Sequence, residues 1–155
     1  MSTSLLDLKE QLVKNVRNQR TPIVFTDDDY LNFCISGCQR LFSDTGRAVS
    51  WDSEYVDGAT PTVNTTLDIL QTNYVITASE IEFFQCVRNY WNTLVSYTTN
   101  ALSVAYAYKP FEFLTQIIQD RENQLTDLFH KMTEYSNMTE INSITKTGLS
   151  FDYSG

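Results

Sequence analysis

Ile81, Phe84, Val87, Trp91 and Leu94 return every three or four positions, and Phe83, Cys86, Tyr90 and Tyr97 run beside them. That spacing marks one face of an α-helix, and two adjoining stripes make the face too wide for a helix lying at a surface. Such a helix is stable only when several neighbours cover it, so the rest of the chain must supply helices to pack on it. Thr77-Ala78-Ser79-Glu80 stands just before the stripes with the pattern of a capping box, in which a hydroxyl and a carboxylate satisfy the unpaired N–H groups of a first turn. The pattern predicts a long central helix from Thr77 to Tyr97.

The covering helices can be read on either side. Leu5, Leu8, Leu12 and Val16 share a face, which predicts a first helix over Leu5 to Asn18 with Ser4 as its cap, and Thr21-Pro22 closes that stretch. After an apolar linker, Ile23-Val24-Phe25, Thr26 caps a second helix whose first turn is Asp27-Asp28-Asp29. Tyr30, Phe33, Cys34, Gly37, Cys38 and Leu41 follow at helical spacing, and Ser43-Asp44-Thr45-Gly46 ends the run. Three carboxylates in a row suit the positive end of a helix dipole better than a metal, since no second ligand cluster accompanies them. Residues 47–76 are turn-rich, with Trp51 expected to anchor them and a short helix expected over Thr66 to Gln71.

Residues 98–109 are small and alternating, which predicts an extended connector, and Pro110 suits the first position of a fourth helix. Phe111, Leu114, Ile118, Leu125, Leu128 and Met132 form its seam, with its end expected near Tyr135. From Ser136 to Gly155 the chain is polar, with a period-two run at Leu149, Phe151 and Tyr153 after Gly148. The expected fold is mainly α: a helical bundle of about four main helices over residues 1–135, with an extended C-terminal arm over 136–155.

Composition narrows the function. The net charge of −8 opposes adhesion to nucleic acid, which relies on clustered Lys and Arg. Residues 1–20 hold Lys9, Lys14, Arg17 and Arg20 against Asp7 and Glu10, a local +2 that leaves −10 on the remainder. An acidic body with a basic first helix could order copies head to tail; an ordinary solvated helix face explains the same charges. No apolar run approaches the roughly 20 residues that span a bilayer. Cys34, Cys38 and Cys86 are an odd set in helical apolar patterns and are expected to be reduced core residues. His130 is the only histidine, and the five glycines are not grouped as a phosphate loop requires. A structural zinc site needs four ligands, and no second pair joins Cys34 and Cys38. Neither catalysis nor a cofactor is expected.

The tail carries the strongest hint of a partner, because an extended arm with alternating apolar residues can add a strand to a sheet edge in another chain. The alternative is that it packs on its own domain or frays. The whole layout resembles the head-tail adaptor, or connector, proteins of tailed bacteriophages. The resemblance covers residues 26–135 and is clearest in Thr26-Asp27-Asp28-Asp29-Tyr30, in Thr77-x-x-Glu80 through Tyr97, and in Asn100-Ala101-Leu102-Ser103-Val104. It implies a structural virion protein, made in the host cytoplasm and built into the neck as a dodecameric ring that extends the DNA channel. The implied partners are the portal protein, neighbouring copies of the chain, and a stopper or tail protein, with DNA passing unbound and no membrane involved. Lys146, Leu149, Phe151 and Tyr153 are then the expected portal-docking residues. A reading from a different class is a cytosolic helical regulatory module that binds one protein partner.

Overall fold

The computed structural model describes residues 3–19, 21, 23–46, 62–63, 65–97 and 101–148, with side chains described up to Thr93 in the third helix and over 110–138 in the fourth. The chain is mainly helical, with α1 at Leu5–Val16, α2 at Asp27–Thr45, α3 at Ile69–Tyr97 and α4 at Ala101–Gly148. A two-residue antiparallel ladder joins β1, Thr3–Ser4, to β2, Thr62–Val63, with Thr3 opposite Val63. It fixes the start of α1 beside the start of α3, where Thr3 Oγ1 accepts the Leu67 N–H at 2.8 Å.

α3 is the spine, and its neighbours run along it in register. Glu80 meets Arg121 and Arg88 meets Phe111, so α4 is antiparallel to α3. Phe33 meets Phe83 and Asp44 meets Tyr74, so α2 is antiparallel to it as well. The predicted face of α1 is the buried one: Leu5, Leu8, Leu12 and Val16 are all in the core. Each such leucine holds the bundle by roughly 2–5 kcal/mol against truncation to alanine. On α3 the stripe Ile81, Phe84 and Val87 is buried with Trp91 packed against it, and Phe83 is buried beside it. Cys86 and Tyr90 are exposed, so the face is narrower toward the C-terminal end than the sequence suggested, and only Cys34 and Cys38 are core thiols. The seam of α4 holds as expected, with Leu114, Ile118 and Leu125 buried and Leu128 and Met132 packed against the core.

α2 and α3 approach closely at Gly37, where an added Cβ would stand 2.6 Å from the Val75 carbonyl oxygen and 2.5 Å from Ser79 Oγ. Only glycine lets the two backbones meet there. The ends of α2 are those predicted. Thr26 and Asp29 form a reciprocal capping box, the Thr26 N–H donating to Asp29 Oδ2 at 2.7 Å, and Gly46 closes the helix at φ 64° with its N–H on the Phe42 carbonyl. That positive φ is the left-handed conformation in which glycine pays no Cβ penalty.

Four expectations are corrected. Ser4 takes the N-cap position of α1 but makes no side-chain cap bond. α3 opens at Ile69 rather than Thr77, so of the separate short helix expected over Thr66 to Gln71 only Ile69 to Gln71 are helical, and they belong to the first turn of α3. The working capping box is Asp68 with Gln71: the Gln71 N–H donates to Asp68 Oδ1 at 2.8 Å and the Asp68 N–H to Gln71 Oε1 at 3.1 Å. α4 begins at Ala101, so 101–109 are helical rather than an extended connector, and Pro110 lies inside the helix rather than opening it. Finally, α4 does not stop near Tyr135 but continues through Gly148, so 136–148 are helical where an extended arm was expected. Trp51 lies outside the described residues.

Candidate functional site

Of the predicted docking residues, Lys146 belongs to the last turns of α4, with its side chain outside the described set, and Leu149, Phe151 and Tyr153 lie outside the described residues. The arm is thus carried, up to Gly148, by a helix. α4 has 48 residues, roughly 72 Å at 1.5 Å per residue. Thr133, Ser136 and Asn137 line the same cleft as Asp68 and Gln71, which places that turn of α4 level with the start of α3. The helix therefore runs ten residues past Met138, beyond the point at which its main neighbour begins. Tyr135 and Met138 are 66% and 65% exposed on these turns, one helical turn apart on the same side.

Two polar clusters hold α4 to the bundle and so aim those turns. The first joins three helices: Arg40 of α2 forks onto Glu122 of α4, with Nη1 3.1 Å from Oε1 and Nη2 2.7 Å from Oε2, and the buried Tyr74 of α3 donates its hydroxyl to Asp44 of α2. Burial is the main reason that the Tyr74 phenol is raised well above its usual pKa, and the Asp44 carboxylate beside it adds to the effect. The fork to Glu122 likewise raises Arg40, which stays charged. The second cluster centres on Glu80, 3% exposed in α3. Asn15 Nδ2 of α1 donates to its Oε1 at 2.6 Å, and Arg121 Nε of α4 stands 2.7 Å from its Oε2. The Arg121 N–H is not aimed at that oxygen, so the contact is an ion pair without a hydrogen bond.

The sequence pattern missed Glu80 as a clasp because it read the residue as a cap. A signal was present: 80, 84, 87 and 91 fall on one helical stripe, which put a carboxylate among apolar residues that must be covered. Arg40, Asp44, Tyr74 and Glu122 carry no comparable mark, since the partners stand 82 and 30 positions apart and no local spacing joins them.

At the opposite end of α4 from Met138, Phe83, Phe84, Val87, Trp91, Phe113 and Leu114 line an apolar groove of about 460 Å³. Phe113 stands at its rim, 61% exposed. Gln19 also lines it, two residues beyond the exposed Arg17, and Arg88 lies over the Phe111 ring with its guanidinium carbon 5.9 Å from the centroid. A second cleft of about 480 Å³, beside Tyr135, is lined by Asp44 and Asp68 together with Phe129 and Met132.

Other chemistry-bearing residues are engaged elsewhere. Among the described residues no three His, Cys, Asp or Glu side chains gather as a metal would need. Asp29 is bound up in the cap of α2, whose backbone N–H holds its carboxyl below the usual range, and Asp27 pairs with Lys9 at 3.4 Å. His130 is exposed on α4. Among the described residues no helix is long and apolar enough to cross a membrane. Comparison with protein-family models, with curated proteins and with solved structures gives no match for this chain.

Proposed function

We propose that this chain is a structural subunit of a tailed bacteriophage neck, forming a ring that joins the capsid portal to the tail and extends the DNA channel. The supporting observation is the long α4, clasped to the bundle at Glu80 and Arg40 and running on past the start of α3 with Tyr135 and Met138 exposed. A rigid body with one projecting helix suits a subunit that must reach a second protein while keeping its own core closed. The net charge of −8 suits a passage wall, because a surface without clustered Lys and Arg gives DNA nothing to release its counterions against. The portal meets the C-terminal end, with Lys146, Leu149, Phe151 and Tyr153 as the docking residues; copies of the chain flank each other, and a stopper or tail protein lies below.

Electron cryomicroscopy of the intact particle tests this. The expected result is a closed ring of this chain between portal and tail, with its C-terminal end against the portal. Absence of the chain from the particle would overturn the reading and leave a helical regulatory module with a single protein partner as the better account.

A further inference from the structure

We infer that the free end of the α3–α4 hairpin is the surface through which copies of this chain meet one another. The inference rests on the reading of the chain as an assembly subunit and names the face that the assembly uses. From Asn89 to Tyr108 the sequence holds no Asp, Glu, Lys, Arg or His, although charged residues make up 19% of the chain. No other uncharged run in it is as long. The same stretch holds Tyr90, Trp91, Tyr97, Tyr106 and Tyr108. Tyr and Trp without charged residues are the composition of the centre of a protein–protein interface.

The fold gathers this stretch in one place. α3 ends at Tyr97 and α4 begins at Ala101, so the uncharged run is the end of an antiparallel helix pair. Its neighbours stop short of it. Asn89, Tyr90, Asn92 and Thr93 of α3 are all exposed, and Trp91 between them is half-buried. Successive helix positions are about 100° apart, so these five residues look in every direction and only that of Trp91 is covered. Chain length keeps other segments away from the last turns. Tyr97 lies roughly 35 Å along α3 from Tyr74, which is level with Asp44 near the end of α2. The residues from 47 to 61 reach at most ~54 Å when fully extended, and the way to Tyr97 and back is about 70 Å. Residues 149–155 start at Gly148, about 60 Å along α4 from Tyr108, and reach at most ~25 Å.

Charge identifies the occupant as a second copy. The nearest charges, Arg88 and Lys109 with Glu82, Glu112 and Asp29 beyond them, carry both signs and stand at the base of the run. A basic partner finds no carboxylate on the run and an acidic partner no cation, so the matching surface is itself uncharged. Lipid matches poorly, because Thr98-Thr99-Asn100 join the two helices and would have to carry hydroxyl and amide groups into hydrocarbon first. Copies of this chain carry −8 each and repel where their acidic bodies approach. Hairpin end against hairpin end opposes no like charges. It also lies at the other end of α4 from Lys146, so pairing there leaves the proposed portal end free.

Sedimentation velocity of the full chain, from micromolar to near-millimolar concentration and from about 0.01 M to about 1 M salt, tests the inference. Expected is association that tightens severalfold as salt rises, because screening removes the repulsion between acidic copies and no attraction between unlike charges is lost. That series needs no variant to fold. Tyr90 and Asn92 flank Trp91 and are exposed, so circular dichroism should show the double variant Tyr90→Glu, Asn92→Glu folded. It should be monomeric. The double variant Tyr90→Lys, Asn92→Lys should bind that Glu variant more tightly than it binds the wild-type chain, since unlike charges then meet at the hairpin end. A wild-type chain monomeric throughout, association that weakens with salt, a Glu variant that associates as the wild type does, or a Lys variant that binds both chains equally would each overturn the contact. A monomer that floats with phosphatidylcholine vesicles would overturn it in favour of lipid. Absence of the chain from the particle, with the expected pattern observed, would overturn the neck reading alone.

Discussion

Burial pushes the thiols of Cys34 and Cys38 from an ordinary 9.0 up to about 12, with Ser79 opposing the shift slightly at Cys34. The consequence for stability follows from proton linkage. Below pH 9 both folded and unfolded chains hold these protons, and the two states are balanced. Between 9 and 12 the unfolded chain gives them up and the folded chain cannot, so ionisation pulls toward unfolding and stability falls as pH rises. Tyr74, raised for the same reason, adds to the fall at higher pH. Urea titrations from pH 8 to 11 should show a steadily declining unfolding free energy, and the double variant Cys34→Ala, Cys38→Ala should start lower but decline less steeply. Equal slopes would mean that the thiols ionise freely in the fold. The sequence showed that these cysteines sit on a buried face, because their spacing with Tyr30, Phe33 and Leu41 is helical. It misplaced Cys86, whose own stripe turns outward toward the end of α3. Periodicity gives the angle of a residue around its helix; whether a neighbour covers that angle is settled by the other helices.

At the scale of elements, what the chain displayed best was what a first turn writes into it. Thr26 with Asp29 was legible because both halves of that box are used. Thr77 with Glu80 has the same spelling and misled, since the helix had already begun at Ile69 under a second box, Asp68 with Gln71. Two boxes nine residues apart are equivalent locally, and tertiary demand for Glu80 against Asn15 and Arg121 decides which is spent as a cap. Pro110 misled similarly. Proline is welcome at a first position and costly inside, by roughly 3 kcal/mol, because it removes one N–H and crowds the carbonyl four residues earlier. Ala101, Ala105 and Ala107 are strong helix formers that extend α4 upstream in spite of it. Pro110→Ala should therefore stabilise the protein. Restored helix bonding contributes up to ~3 kcal/mol, and the freer unfolded chain takes back about 0.4–1 kcal/mol. The net gain of about 2 kcal/mol should appear as a higher urea midpoint. A loss of stability would mean that Pro110 is needed where it lines the apolar groove.

At the scale of the whole molecule, the division between a bundle that folds and an end proposed to dock makes a separable prediction. Buried residues are spread over α1, α2, α3 and α4, but among the described side chains of α4 burial stops at Leu125 and packing against the core at Met132. Residues 141–155 follow Met132, the last side chain of α4 in the described core, and a chain end beyond its last core contact is expected to add little to stability. The polar composition after Ser136 had hidden the helical course of α4, because without an apolar stripe there is no period to read. Deleting 141–155 should leave the thermal midpoint unchanged and remove a small part of the helical signal, while attachment to purified portal rings, measured by cosedimentation, should be lost. Attachment by the truncated chain would remove the docking role from Lys146, Leu149, Phe151 and Tyr153, and a lowered midpoint would mean that the same residues pack on the bundle.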